Sequence, residues 1–193
     1  MTTEHDVVEA VRTLIEWAGD DPDRIGVEDT PKRVLRAWRD AWGAGYREDP
    51  AQHLERQFTD DDLSEQGAHD ALVCVGPIPF ASTCEHHMAP FIGRGWIVYL
   101  PDQRVVGLSK LARCLTGYAA RLQVQERIGH QVAEAIDRVM KPRGVMVVLE
   151  AEHTCMTTRG VRAHGCMTRT SAVRGVLMDN PAARAEAMAL VSM

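Results

Sequence analysis

No run of apolar residues in this chain approaches the roughly 18 that a membrane-crossing helix needs, so no such span is expected. Basic residues are in the minority, 22 Lys and Arg against 27 Asp and Glu, for a net charge of −5. That balance excludes the broad basic face that nucleic acid requires, and any polyanionic ligand has to be held by a local cluster. Five cysteines, Cys74, Cys84, Cys114, Cys155 and Cys166, form an odd set without framework spacing. They argue against a disulfide scaffold and for a reducing compartment. Met1 to Asp6 is acidic rather than basic and apolar, so no secretory leader is expected and the expected location is cytoplasmic. Internal repeats and low-complexity tracts are missing as well. The acidic stretches Asp20 to Asp23 and Asp60 to Glu65 read as solvated loops.

What remains is 193 residues, enough for one well-cored domain with an accessory helical segment. Val7, Val11, Leu14, Ile15 and Ala18 recur at helical spacing and stop at Gly19, which predicts a helix over 4–18. Thr30-Pro31 opens a second, capped by Thr30, whose stripe Val34, Leu35, Trp38 and Ala41 ends at Gly43 and Gly45. Both stripes read as packing surface. A short helix is expected after Asp49-Pro50. From Ala71 the pattern changes to short β-rich runs, 71–75 and 91–100, and Pro101 to Arg104 reads as a turn returning the chain through Val105 and Val106 as an antiparallel hairpin. Ser109 then caps a helix with Leu111, Leu115, Tyr118 and Leu122 on one face, and Val124, Ile128, Val132, Ile136 and Val139 carry the period on to Met140. Strands over 145–151 and 167–176 and a last helix opened by Asn180-Pro181 follow. The order predicts an α+β fold with an antiparallel sheet, divided into a helical segment 1–70 and a main domain 71–193.

Chemistry concentrates in Ser82-Thr83-Cys84-Glu85-His86-His87, where a thiol and two imidazoles follow an apolar run. Cys84 and His87 are three apart, which lets a sulfur and a ring nitrogen converge on one ion from a single turn. Glu152-His153-Thr154-Cys155 follows the other buried run and offers a second thiolate. The expected set is therefore Cys84, His87 and Cys155 on one zinc. Three protein ligands leave a position for water, whose pKa zinc lowers to about 7. His86 or His153 could instead supply a fourth ligand and close the site as a structural one. If they do not, both are placed to carry protons.

Two further groups fit an anionic purine ligand. Ser109, Lys110 and Arg113 cluster at a predicted helix start, where free N–H groups and the dipole favour an anion, and Arg159 and Arg162 lie just beyond Cys155. Gln125-Glu126 pairs an amide with a carboxylate, suited to the edge of a purine but weak evidence alone.

The runs Cys84-Glu85-His86-His87, Pro90-Phe91-x-Gly93, Gly107 to Arg113, Gln123 to Arg127 and Glu150 to Val161, preceded by Thr30-Pro31-x-Arg33-Val34 and Gly45-Tyr46-x-x-Asp49-Pro50, resemble GTP cyclohydrolase I in order and across nearly the whole chain. The resemblance implies a tunnelling-fold subunit, an antiparallel sheet with two long helices on one face behind a helical N-terminal segment. It also implies a homo-oligomer, with five subunits closing a barrel ring and two pentamers stacking as a decamer, and active sites where subunits meet. The implied reaction converts GTP and water to 7,8-dihydroneopterin triphosphate and formate. By position, zinc on Cys84, His87 and Cys155 activates water, His153 protonates the imidazole ring, and His86 with Ser109 manages later proton transfers. Gln125 and Glu126 hold the guanine edge, and Lys110, Arg113 and Arg159 bind triphosphate. Gly76-Pro77, Cys166 and Leu177 depart from the family pattern without touching the implied ligands. Two rival classes are a non-catalytic zinc-stabilised module, which chelation would unfold, and a tunnelling-fold oxidoreductase, which would consume NADPH.

Overall fold

The computed structural model describes residues 2–59 and 71–193, so the acidic run from Asp60 lies outside the described residues. These fall into two compact units, Met1–Ala44 and Gly45–Met193. In the first, α1 (Glu4–Trp17) starts from a capping box in which Thr3 and Asp6 satisfy each other's backbone donors. Its apolar stripe is not covered, because no residue of α1 is buried and Leu14 and Trp17 stand open. Helix α2 (Thr30–Ala37) has Asp29 rather than Thr30 at its N-cap, with Thr30 as the first helical residue. The helical path runs on through one π turn, Trp38–Trp42, closed at Gly43 by its N–H to Trp38 O, where Trp38 and Trp42 meet edge to face.

The second unit is mixed α+β. After the short 3₁₀ turn Pro50–Leu54, capped by Asp49, come β1 (Gln57–Thr59), β2 (Val73–Cys84), β3 (Pro90–Leu100) and β4 (Arg104–Val106). Next are α3 (Leu108–Ala119), β5 (Leu122–Gln123), α4 (Gln125–Met140) and β6 (Gly144–His153). The chain ends with α5 (Thr154–Thr157), β7 (Met167–Gly175), α6 (Val176–Asp179) and α7 (Pro181–Val191), the last capped by Asn180. The main sheet has five strands in the order β5-β2-β3-β6-β7, antiparallel except that β5 runs parallel to β2.

Three expectations are corrected. The hairpin across Pro101 to Arg104 does not form: β3 is already paired on both sides, and β4 leaves the sheet to pair with β1. The long helical period from Ser109 to Met140 is two helices, because β5 interrupts it to hydrogen-bond beside Cys84. Gly107 occupies the N-cap of α3, and Ser109 is its second residue. Strand β2 is also longer than its apolar run, carrying the ladder through Ser82 and Thr83 into Cys84.

Strand β6 positions the site. Successive side chains point to opposite faces, and here both faces are covered. Val145, Val147, Leu149 and Ala151 join the core beneath α3 and α4, whereas Met146 and Val148 join Val98, Leu177 and Ala187 on the opposite face. His153 continues the odd row, towards α4. Gly93 lies where β3 crosses this row, and a Cβ there would drive into the Glu150 carbonyl and Ala151.

The even row ends in a charge. The buried carboxylate of Glu150 takes Arg94 at 2.9 Å on one oxygen and Arg169 on the other, and Arg94 also lies over the Trp96 ring. Arg169 first and Arg94 second hold the Glu150 carboxyl below its ordinary pKa. Its contribution is therefore complete above the unfolded value of about 4.3 and is lost as pH falls through the lower folded value. Glu150→Gln is expected to lower stability by about 1–2 kcal/mol at pH 7, since both guanidiniums can turn to water. Urea denaturation should show that gap closing in acid. A gap of equal size at both pH values would mean that the charge is not what matters.

Candidate active site

The end of β2 and the end of β6 bring the sulfur ligands together. Cys84 and Cys155 Sγ lie 4.0 Å apart, and His87 Nδ1 is 3.8 Å from Cys84 Sγ. The donor atoms of Cys84, His87 and Cys155 all fall within 4.8 Å of one another. A tetrahedral ion with zinc-like bond lengths sets ligand atoms about 3.5–3.8 Å apart, so this set needs only a small contraction to close on a cation. Two thiols and an imidazole are also the donor chemistry that a borderline-soft metal takes. Burial first and the neighbouring Cys84 second push the Cys155 thiol above its ordinary pKa, with Arg159 acting the other way. A cation between the sulfurs would relieve that cost by favouring both thiolates.

Local backbone explains the turn. Cys84 N–H donates to Ala89 O, and Met88 and His87 N–H groups donate back to Cys84 O. Glu85 N–H bonds Gln123 O, so the short parallel strand β5 holds the motif from behind. His86 Nδ1 lies 3.9 Å from Cys84 Sγ, yet His86 is not one of the mutually close ligand set. The three-donor arrangement is the one the chain assembles, and His87 lies on its exposed side.

His153 sits behind the cluster, its ring stacked on Phe91 at 4.4 Å and 6°. Gln125 is almost wholly buried, and its amide nitrogen donates to Leu149 O at 3.1 Å, Thr168 O at 3.0 Å and Thr170 Oγ1 at 3.1 Å. Two of those partners are carbonyls that only accept. The amide oxygen therefore faces His153 Nε2, 3.0 Å away, which must be the protonated nitrogen of the neutral ring. Nδ1 is left for proton exchange. Burial holds His153 below the ordinary imidazole pKa, and Glu126 pulls weakly the other way.

The expected residues thus divide. Cys84, His86, His87, His153, Cys155, Glu126 and Arg159 gather at one end of the sheet, with Glu126 and Arg159 exposed. Gln125 joins them with its side chain turned inward to His153 and the sheet, not outward to a ligand. Ser109, Lys110 and Arg113 lie on the first turns of α3, whereas its last residues lead into the strand beside Cys84. At 1.5 Å per residue, the helix rises about 14 Å from Lys110 and about 9 Å from Arg113 to Ala119, so both cations stand well before the end that leads to the cluster. Sequence reasoning missed Phe91 as the platform for His153. Its alternation with Gly93 and the pairing of Phe91 with His153 become visible only with the register.

Residues 7–192 match the family model described as GTP cyclohydrolase I. The chain belongs to the GTP cyclohydrolase I family. Among its relatives, GTP cyclohydrolase 1 of Carboxydothermus hydrogenoformans is 51% identical over 183 residues, covering 94% of this chain and 91% of that protein. GTP cyclohydrolase 1 of Desulforamulus reducens is 47% identical over 186 residues, 96% of this chain and 95% of that one. GTP cyclohydrolase 1 of Brucella anthropi is 49% identical over 178 residues, 92% and 81% of the two chains. The apo crystal structure of the archaeosine synthase QueF-Like covers 57% of this chain and 97% of its own at 13% identity and a TM-score of 0.43, too distant to bear on the fold. In this chain the candidate cation site and a neutral, oriented histidine lie side by side. No helix among the described residues is long and apolar enough to cross a membrane.

Cys155→Ser removes a sulfur at an incompletely buried position. The expected result is metal content falling to background by elemental analysis with an unchanged circular dichroism spectrum. Full metal occupancy in that variant would exclude Cys155 as a ligand.

Proposed function

We propose that the chain is a zinc-dependent GTP cyclohydrolase I, converting GTP and water to 7,8-dihydroneopterin triphosphate and formate. The observation that carries this reading is the adjacency of a three-donor cluster to His153 in a chain of this family. Cys84, His87 and Cys155 would hold the ion, and zinc there would supply a Lewis acid that makes water nucleophilic near neutral pH.

The residues of the chain do the rest. His153, neutral because it is buried and with Nε2 committed to Gln125, receives and returns a proton at Nδ1 as the imidazole ring of guanine opens. His86, exposed beside the cluster, exchanges protons as the ribose opens and rearranges, and Ser109 joins it from another copy of the chain, as its helix neighbours Lys110 and Arg113 do. Glu126, on the first turn of α4, accepts hydrogen bonds from the guanine edge, and Gln125 supports this recognition from behind. A carboxylate so placed discriminates strongly against analogues lacking its donor partners. Arg159 meets the triphosphate from the cluster side, and Lys110 and Arg113 from another copy of the chain. What supports that division is their place on the first turns of α3, whereas its last residues lead to β5 beside Cys84. On this reading the protein is a homo-oligomer of tunnelling-fold subunits, a decamer of two pentamers with sites between neighbours, in the cytoplasm.

Incubation with GTP should release formate and give a pterin that fluoresces after oxidation. Absence of both with metal-loaded protein would sink the reading. His153→Ala should keep its metal, measured by elemental analysis, while formate release falls by about 10²–10⁴-fold. An active variant would remove the proton-transfer role.

A further inference from the structure

The turn that carries Cys84 and His87 is weakly held by its own side chains. His86, His87 and Met88 are exposed, and Met88 adopts a φ of 52°, in the left-handed region. The side chain of Glu85 in this turn is gripped by a distant element. Arg127 donates from Nη1 to Glu85 Oε2 at 2.5 Å and from Nη2 to Oε1 at 2.9 Å. A two-pronged contact of this kind fixes direction as well as distance.

The origin of that grip matters. Arg127 is the third residue of α4, and Gln125, the first, holds His153 at the end of β6. One helical turn therefore grasps the end of β2 through Glu85 and the end of β6 through His153. Cys84 precedes Glu85, and Cys155 follows His153 by two residues, so the sulfur-to-sulfur gap spans the two ends that this turn ties together.

We propose that Arg127 is a positioning residue for the metal centre: through Glu85 it holds the Cys84–His87 turn at the spacing Cys155 requires. The inference rests on the metal reading given above and adds a residue to it. The pair is partly open to solvent, with side chains 44% and 31% exposed. An ion pair so exposed contributes little to global stability, so its effect falls on local geometry. Partners that orient metal ligands from behind are worth about 10–100-fold in metal affinity.

Cobalt(II), whose visible bands report thiolate ligation, is the probe. It is titrated into chelator-stripped full-length protein in competition with a chromogenic chelator. Arg127→Ala and Glu85→Gln should each bind cobalt about 10–100-fold more weakly, with thermal midpoints barely moved. Arg127→Lys, which keeps charge but not the fork, should fall between the parent and Arg127→Ala. The exchange Glu85→Arg with Arg127→Glu should recover most of the affinity. Binding within about two-fold of the parent in both single variants, against the loss expected for an outer-shell partner, overturns the proposal. Should Arg127→Ala fail to fold, Arg127→Lys and the exchange decide the matter. A parent protein that takes up no cobalt overturns the metal reading, and the clamp with it.

Discussion

The alternation of side chains along β6 is the constraint on which the site depends. With both faces of that strand covered, Val145, Val147, Leu149 and Ala151 have to face α3 and α4, and a slip of one residue would exchange the two faces. The same parity decides where the strand's polar end points. His153 is delivered to the first turn of α4 and Glu150 to the opposite face, with no separate device for either. Each Leu or Val of the row stabilises the fold by about 1.5–3 kcal/mol on burial, far more than the hydrogen bonds at the strand's end. Packing sets the register, and chemistry inherits it.

Charge is arranged in the same local way. A chain with a net charge of −5 places its cations one or two at a time: Arg94 and Arg169 around Glu150, Arg127 on Glu85, Arg121 over the rings of Tyr46 and Tyr118. These are engaged by carboxylates or aromatic faces. Arg159 by contrast bears on the cluster itself, where it works against the rise in the Cys155 thiol.

The candidate metal cluster was legible in the sequence because part of its spacing is local. Cys84 and His87 share one turn, and each cluster follows an apolar run that reads as a strand. The helix starts at Pro31, Pro50 and Pro181 were legible for the same reason, since proline at a first turn acts on its immediate neighbours. What escaped depends on distant partners. Leu122 and Val124 keep the helical period going, so nothing local announces that the chain straightens there to pair with Thr83 and Cys84. Val105 and Val106 look like the return arm of a hairpin, but both flanks of β3 are already occupied. Gln125 and Glu126 look alike as polar neighbours, and only the helix phase sends one inward to His153 and the other outward.

Strand β7 has a consequence of its own. Among the described residues its nine members are hydrogen-bonded to β6 on one side only. The other flank presents a row of backbone donors and acceptors, a template on which any passing extended segment can add. A solitary copy therefore carries an adhesive seam, and burying it against a neighbour would guard against amyloid-like stacking. Chains newly made at high concentration would face a race between ordered pairing and disordered accretion along such a margin.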